Sequence, residues 1–303
     1  MYSPVNSTLD SGPPKSVTLK GEKKPKGETP MQRLSTDGTI VSTQPVHISL
    51  HPEVHDRVEI TKITYLVDHL QVIGYIAKPS VSTARSFPVL IYNRGGFRSF
   101  SKINDATLVR IADYAARGYV VLASQYRGNA GGAGRDEYGG SDVKDLFALA
   151  WLAESLPEAD ATRLLMFGHS RGGMMTYLSI GHGLNLTAAA VVAAPTDLAR
   201  RPLPHALEQL YGGLFGEPAD NPDAYRARSA LHWPERLTVP LLIQHGGQDR
   251  RVYPIESEQL VERLQTLGLP HQYIYYPDGD HFLQNVQQER DEAIFQWFEK
   301  FLT

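Results

Sequence analysis

The chain contains no cysteine among its 303 residues. This absence excludes disulfide bonds, thiolate metal sites, iron–sulfur clusters and a cysteine nucleophile. It leaves the redox compartment open, because a chain without thiols is stable in an oxidising or a reducing environment. If the protein is a nucleophilic enzyme, its nucleophile belongs to another residue type.

Long apolar runs and an excess of basic charge are also missing. Lysine and arginine number 30 against 33 acidic residues, which gives a formal net charge of -3 and no basic field for nucleic acid. No apolar run approaches the ~18 residues of a membrane span, and the first ten residues lack the profile of a secretory signal. We therefore expect a soluble cytoplasmic protein that binds neither nucleic acid nor membrane.

Residues 1–45 differ in composition from the remainder of the chain. They are rich in Ser, Thr, Pro, Gly and Lys, with few large apolar side chains to offset the entropy lost on ordering. We predict a flexible polar N-terminal arm over residues 1–45, or a segment lying along the main domain. Residues 46–303 are predicted to form a single folded domain.

From residue 58 onward, strand-like segments come first in a pair and then alternate with helical segments. Segments 58–65 and 70–79 alternate with period two, which indicates an antiparallel pair. Continuous apolar segments spaced by helices then indicate an α/β fold, a mostly parallel sheet with helices on both faces. These apolar segments lie at 88–92, 119–124, 163–168, 188–194, 240–245 and 272–276. Residues 196–236 interrupt the rhythm and are predicted to form a short helical cap near the strand ends.

Two of the connecting helices carry boundary signals. One ends near Gly118, the expected C-cap, and another begins after Ser141, the expected N-cap. Asp142 and Asp145 fall in the first turn of that second helix, where negative charge suits the helix dipole. We interpret these two carboxylates as stabilising the helix start, without a chemical role.

The segment 168–172 reads G-H-S-R-G and fits the pattern G-x-S-x-G. It follows an apolar strand and precedes a predicted helix, the context in which this pattern forms a sharp turn that lifts a serine hydroxyl above the sheet. Small flanking residues leave room for such a turn. Taken alone, the pattern also fits a glycine-rich turn without chemistry. We identify Ser170 as the candidate nucleophile.

A serine nucleophile needs a base that is oriented by a third group. In this kind of fold the chain order is serine, acid, histidine, with the acid and the base on loops after later strands. Asp249 follows the apolar segment 240–245, and His281 follows the segment 272–276. We predict Asp249 as the acid and His281 as the base.

Four other residues compete for these two roles. Asp278 and Asp280 immediately precede His281, but close sequence neighbours are poorly placed to reach its Nδ1 atom. His245 is interpreted as a core residue at the end of its strand. His169 occupies the variable position beside the nucleophile, and neither of these histidines is our candidate base.

The remaining chemical requirement is an oxyanion hole made of two backbone N–H groups. Arg171, directly after the candidate nucleophile, supplies the first. The loop N-R-G-G-F after an early strand supplies the second, from Arg94 or Gly95, although Gly-Gly is also common in plain turns. Tyr126 and Arg127 follow another strand end and are predicted to bind substrate, with bracing of the Arg94 loop as the alternative.

Six segments in chain order carry a resemblance to a known family: I-Y-N-R-G-G-F, S-Q-Y-R-G-N-A-G-G, G-G-S-D-V-K-D-L, F-G-H-S-R-G-G-M, P-L-L-I-Q-H-G-G-Q-D-R-R-V and Y-P-D-G-D-H-F. Together they resemble the catalytic domain of the prolyl oligopeptidase family of serine peptidases, within the α/β-hydrolase superfamily. The resemblance spans about residues 58–303. It implies Ser170 as nucleophile, Asp249 as acid and His281 as base.

Two features depart from that family pattern. Family peptidases generally carry a propeller or comparable N-terminal domain that restricts access, and we expect none in this chain. Many also place a tyrosine just before Gly-Gly to help hold the oxyanion, where this sequence has Arg94. The Arg94 guanidinium would bind an anionic group or form a surface ion pair.

We therefore predict a serine hydrolase that cleaves an ester or a small acylated substrate through an acyl-enzyme. The alternative is a peptidase of prolyl oligopeptidase type that acts on short peptides or aminoacyl amides. A hydrolase-fold protein that only binds a ligand would not need all three triad groups. We expect a small-molecule or short-peptide substrate and no cofactor or metal; a homo-oligomer is left open.

Overall fold

The computed structural model describes residues 31–80, 86–200 and 202–302. Within these ranges, nine strands form one sheet in the order β1-β2-β3-β5-β4-β6-β7-β8-β9. The strands are β1 (Ile40–Pro45), β2 (Val58–Val67), β3 (Leu70–Pro79), β4 (Phe87–Asn93), β5 (Val120–Ser124), β6 (Ala159–His169), β7 (Ala188–Val192), β8 (Leu241–Gly246) and β9 (His271–Tyr276).

The pairing of neighbouring strands changes once across the sheet, from antiparallel to parallel. Strands β1, β2, β3 and β5 pair antiparallel in that order. From β5 through β4 to β9, every pair is parallel. The prediction of a mostly parallel sheet preceded by an antiparallel pair is therefore confirmed. Because the carboxyl ends of parallel strands meet at one edge, the loops after β4, β6, β8 and β9 come together there.

The helices cover both faces of this sheet, as predicted. The described helices are α1 (Pro52–His55), α2 (Asp105–Ala116), α3 (Lys144–Ala153), α4 (Arg171–Gly181), α5 (His205–Phe215), α6 (Pro222–Arg226), α7 (Pro254–Thr266) and α8 (Gln287–Leu302). One apolar layer packs α3, α4 and α7 against the sheet, and the other packs α2 and α8. None of the described helices has the length and apolarity to span a bilayer.

Local capping explains where helix α2 begins and ends, but not where α3 begins. Helix α2 starts after Asn104, whose side chain accepts the N–H of Thr107 at 3.1 Å. It ends before Gly118, whose φ of 93° suits a residue without a Cβ. Ser141 begins a 3-10 turn and α3 starts only at Lys144. The second predicted helix start was therefore two residues early.

The segment between β7 and β8 carries α5, α6 and two 3-10 turns, Ala230–His232 and Pro234–Arg236. These elements fall in the range predicted as a helical cap. Their aromatic side chains pack on one another: the Phe215 ring lies 6.1 Å from that of Tyr211 and 5.4 Å from that of Tyr225. The packing gives the cap an apolar interior that is continuous with the core below it.

The structure corrects the predicted end of the N-terminal arm. Residues 40–45, assigned to the arm by composition, form the edge strand β1, which pairs antiparallel with β2. Most of the β1 side chains are exposed, so its place in the sheet rests on backbone hydrogen bonds that composition does not reveal. The folded part thus begins before residue 46, and the rest of the predicted arm up to residue 30 lies outside the described residues.

Candidate active site

Ser170 lies at the junction where β6 ends and α4 begins. Its backbone has φ 56° and ψ -124°, an unfavourable combination for a residue with a Cβ. The flanking glycines make the turn sterically accessible. A Cβ on Gly168 would lie 2.1 Å from the Gly172 carbonyl oxygen, and a Cβ on Gly172 would lie 2.1 Å from the Asn93 carbonyl oxygen. The turn therefore requires glycine at both positions.

His281 and Asp249 are brought together from the loops after β9 and β8. His281 Nδ1 donates a hydrogen bond of 2.7 Å to Asp249 Oδ2. Asp249 Oδ1 accepts the backbone N–H groups of Arg251 at 2.8 Å and Val252 at 3.0 Å. Burial raises the pKa of Asp249, but hydrogen bonds from His245 and His281 outweigh it, and the pKa lies well below the usual range. The carboxylate is thus ionised and held in one orientation.

The competing carboxylates do not reach the imidazole. Asp280 Oδ1 accepts the backbone N–H groups of Phe282 at 3.0 Å and Gln284 at 3.2 Å, which stabilises the turn after β9. Asp278 is exposed, and its carbonyl oxygen accepts a bond from Asn285 Nδ2 at 3.0 Å. The Asp280 carboxylate thus bonds to the loop backbone, and the Asp278 carboxylate is exposed, rather than bonding the His281 ring.

Two further histidines support the Asp249–His281 pair. His245 Nε2 lies 3.3 Å from Asp249 Oδ2 and 3.0 Å from the Val252 carbonyl oxygen, so this nitrogen carries the proton. His169 Nε2 donates to the backbone carbonyl oxygen of His281 at 2.8 Å. Burial, followed by the neighbouring His281, lowers the pKa of His169 to about 3 and keeps its ring neutral.

Ser170 and His281 face the same cavity, which has a volume of about 570 Å³. Of the described residues that line this cavity, none is Asp or Glu, and the cap contributes part of its wall. The apolar lining includes Phe97, Phe100, Leu207, Leu210, Tyr211 and Phe282. The arrangement places a hydroxyl and an imidazole on the wall of a mostly apolar chamber.

The two backbone N–H groups predicted for the oxyanion hole flank Ser170. Arg171 is the first residue of α4, so its N–H has no acceptor within the helix. Gly95 lines the cavity, and a Cβ built on it would lie 3.5 Å from Ser170 Cβ. Between the two residues offered for the second donor, the geometry favours Gly95, since Arg94 is not among the lining residues.

The side chain of Arg94 departs from the prediction of a surface ion pair or an anion-binding group. It is only 2% exposed, and its guanidinium donates to the carbonyl oxygens of Gly95 at 3.0 Å, Arg98 at 3.2 Å and Gln125 at 2.9 Å. Burial, and then the charge of Arg171, lowers the pKa of Arg94 to about 10. The guanidinium thus hydrogen-bonds to backbone carbonyl oxygens and does not point toward a substrate.

Tyr126 and Arg127 are likewise not where substrate binding requires them. Tyr126 is fully buried, and its hydroxyl donates to the Arg94 carbonyl oxygen at 3.0 Å. Arg127 Nε donates to Asp145 Oδ1 at 2.8 Å, and Arg127 Nη2 donates to Asp68 Oδ2 at 3.1 Å. Both side chains turn inward from the end of β5, so the prediction that they line the pocket is wrong. Tyr126 instead braces the Arg94 loop, the alternative named for it.

The side chain of Arg171 forms a buried ion-pair cluster that the sequence did not reveal. Its guanidinium donates to Asp136 Oδ1 at 2.6 Å and Asp142 Oδ2 at 2.7 Å, and to the Gly96 carbonyl oxygen at 3.0 Å. Asp142, interpreted as a simple helix-start charge, thus anchors the residue after the candidate nucleophile. In the described ranges, no group of three or more His, Cys, Asp or Glu is placed to hold a metal ion.

The sheet order, the turn at Ser170 and the histidine–aspartate pair together define an α/β-hydrolase. The model of the prolyl oligopeptidase family matches residues 106–303, more than half of the chain. The chain therefore belongs to the prolyl oligopeptidase family, and the resemblance predicted from its motifs is confirmed.

Similar proteins agree with this assignment. The uncharacterized peptidase YtmA of Bacillus subtilis is 29% identical over 253 residues, which cover 81% of this chain and 95% of YtmA. Dipeptidyl-peptidase 5 of Porphyromonas gingivalis is 24% identical, and the match covers 75% of this chain but 35% of that protein.

Among solved structures, a puromycin-hydrolyzing peptidase of Mycobacterium tuberculosis shares the fold with a TM-score of 0.70 at 23% identity, over 83% of this chain and 40% of that one. The acylaminoacyl peptidase of Pyrococcus horikoshii gives a TM-score of 0.70 at 19% identity, over 81% of this chain and 42% of that one. The chain thus spans well under half the length of these two structures.

Proposed function

We propose that the protein is a serine hydrolase in which Ser170, His281 and Asp249 form the catalytic triad. The observation that carries the proposal is the 2.7 Å bond from His281 Nδ1 to Asp249 Oδ2, with His281 and Ser170 lining one cavity. Since Nδ1 carries the proton toward Asp249, Nε2 of a neutral ring is free of a proton and can accept one. That is the protonation state that a base for the Ser170 hydroxyl needs.

The proposed reaction has two halves. His281 Nε2 takes the proton of the Ser170 hydroxyl as Oγ bonds to the substrate carbonyl carbon, and the carbonyl oxygen becomes an oxyanion bound by the N–H groups of Gly95 and Arg171. The imidazolium then protonates the leaving oxygen or nitrogen as its bond to carbon breaks. In the second half, His281 takes a proton from water as the water oxygen bonds to the acyl carbon. The imidazolium then returns a proton to Ser170 Oγ as the bond from Oγ to that carbon breaks, and the acid is released. The ionised Asp249 stabilises the imidazolium in both halves.

The cavity favours a substrate with an apolar acyl group. Its lining is dominated by aromatic and aliphatic side chains, and none of the described lining residues is a carboxylate that could bind a free substrate amine. Burial of apolar area contributes roughly 25 cal/mol per Å² to such binding. We accordingly favour esters and small acylated compounds as substrates.

A second candidate is a peptidase that acts on short peptides or aminoacyl amides. Family membership supports it, as do relatives named as dipeptidyl and acylaminoacyl peptidases. An amide requires protonation of its leaving nitrogen, so the scissile bond must be held closely in register with the imidazolium. The two candidates thus differ in leaving group and share the triad.

A matched substrate panel separates them. Rates of p-nitrophenyl ester and aminoacyl p-nitroanilide hydrolysis are measured with wild type and Ser170→Ala and divided by the uncatalysed rates. We expect the enhancement of kcat/KM for the esters to exceed that for the anilides by at least ~100-fold, about 2.7 kcal/mol. A larger enhancement for the anilides would instead support the peptidase. Full activity of a folded Ser170→Ala variant on either class would overturn both.

A further inference from the structure

The peptide group that joins Arg94 to Gly95 is held from behind by a buried tyrosine. Its N–H is the second oxyanion donor of the proposed function. Its carbonyl oxygen accepts a hydrogen bond of 3.0 Å from the Tyr126 hydroxyl. In a planar trans peptide, the C=O and N–H bonds point in opposite directions. A bond that fixes the carbonyl therefore also fixes the direction of the N–H, away from Tyr126.

Tyr126 is itself held rigidly. Its ring centroid lies 5.1 Å from the Arg94 guanidinium carbon and 4.5 Å from that of Arg171. Its backbone has φ 61°, and its N–H donates to Ser124 Oγ at 2.9 Å. Burial raises the pKa of Tyr126, so the hydroxyl stays protonated and remains a donor. A ring fixed in this way defines the position of its hydroxyl oxygen.

The guanidinium of Arg94 holds the next part of the same loop. Nη1 donates to the Gly95 carbonyl oxygen at 3.0 Å, and Nη2 donates to that of Arg98 at 3.2 Å. Nη2 and Nε also donate to the Gln125 carbonyl oxygen at 2.9 Å and 3.1 Å, which ties the loop to the end of β5. A lysine has no planar fork and could not hold these carbonyls together.

We propose that the Tyr126 hydroxyl and the Arg94 guanidinium are positioning residues for the oxyanion hole. They orient the Gly95 N–H toward the tetrahedral intermediate, and the Tyr126 bond polarises the shared peptide so that this N–H donates more strongly. Neither side chain lines the cavity, so each acts through the loop and not by touching substrate. The inference rests on the proposed function, because it assigns the Gly95 N–H to the oxyanion.

The test is Tyr126→Phe, which removes one oxygen atom and leaves the ring between its neighbours. Tyr225→Phe is the matched control, because the Tyr225 hydroxyl donates to another backbone carbonyl oxygen, that of Gly216, at 2.6 Å within the cap. For each variant we measure kcat and KM with p-nitrophenyl butyrate, the inhibition constant of phenylboronic acid, and the melting temperature. Phenylboronic acid adds to a serine nucleophile and mimics the tetrahedral intermediate.

We expect Tyr126→Phe to lower kcat roughly tenfold, less than the 10²–10³ typical of losing a donor outright, with KM within about twofold. The inhibition constant of phenylboronic acid should rise by a similar factor. Tyr225→Phe should change neither quantity, although its melting temperature should fall comparably. Arg94→Lys should show the same kcat-selective loss, and it keeps the proposal testable if Tyr126→Phe does not fold.

The proposal would be overturned if folded Tyr126→Phe kept the wild-type kcat and the wild-type inhibition by phenylboronic acid. If Tyr126→Phe is not recovered, the same result in folded Arg94→Lys would overturn it. So would equal kcat losses in Tyr126→Phe and Tyr225→Phe. These results differ from failure of the proposed function, in which wild type would show no Ser170-dependent ester hydrolysis at all.

Discussion

Asp249→Asn replaces a carboxylate oxygen with an amide NH₂ group at the most constrained point of the candidate triad. Asp249 Oδ1 accepts backbone N–H groups from Arg251 at 2.8 Å and Val252 at 3.0 Å, so the amide oxygen of the asparagine must remain there. Its NH₂ group then faces His281 Nδ1, 2.7 Å from the present Oδ2 position. Two donors cannot share that bond, and Nδ1 must give up its proton and become the acceptor.

The proton then moves to His281 Nε2, the atom that should accept the Ser170 proton. The wrong tautomer and the loss of the charge that stabilises the imidazolium cost on the order of 10⁴ in kcat in serine hydrolases of known mechanism, roughly 5.4 kcal/mol. We expect a loss of that order here, with the fold retained because the two backbone bonds to Oδ1 survive.

The assay is steady-state p-nitrophenyl ester hydrolysis, with melting temperatures to confirm folding. The matched control is Asp280→Asn, because Asp280 Oδ1 also accepts two backbone N–H groups but its carboxylate does not bond the His281 ring. We expect this control to keep kcat within about threefold. If Asp280→Asn lost more activity than Asp249→Asn, the acid would belong to the loop after β9, and the assignment would be refuted.

Two predictions concern stability. Gly172→Ala would place a Cβ 2.1 Å from the Asn93 carbonyl oxygen and should destabilise the fold by at least about 3 kcal/mol. The control Gly213→Ala, with open space around it, should be neutral or stabilising. Equal midpoints of urea unfolding for the two variants would contradict this prediction. Burial raises the pKa of Glu256 from 4.5 to about 7, against opposing bonds from the N–H groups of Thr196 and Asp197. The stability that the bound proton contributes is present below pH 4.5 and is lost as the pH rises to about 7. The free energy of unfolding of Glu256→Gln should therefore match that of wild type near pH 4. Near pH 8 it should exceed the wild-type value by roughly 1–3 kcal/mol. A stability difference that does not change with pH would refute this reasoning.

The sequence was sufficient to predict the sheet and the order of the candidate triad. Both depend on local patterns: apolar runs define the strands, and in a parallel sheet the residues just after those runs meet at one edge. Ser170, Asp249 and His281 each follow such a run, so their convergence could be predicted without any knowledge of side-chain contacts. Edge strand β1 was missed because its exposed side chains carry no apolar signal.

The buried polar cluster around the oxyanion loop could not be predicted in the same way. Asp136 and Asp142 pair with Arg171 across 35 and 29 residues of sequence, and Tyr126 reaches the Arg94 carbonyl across 32. No periodicity encodes such contacts, because each partner is placed by a different loop. Position after a strand end predicted that Tyr126 and Arg127 lie near the site, but it could not predict that both turn inward.

The central claim is that Ser170 is the nucleophile, and covalent labelling tests it most directly. Wild type and Ser170→Ala are treated with a fluorophosphonate, digested with trypsin and mapped by mass spectrometry. The account predicts one added phosphonyl group on the peptide 164–171, L-L-M-F-G-H-S-R, and none on folded Ser170→Ala. Stoichiometric labelling of a different residue, or labelling of Ser170→Ala at the wild-type rate, would contradict it.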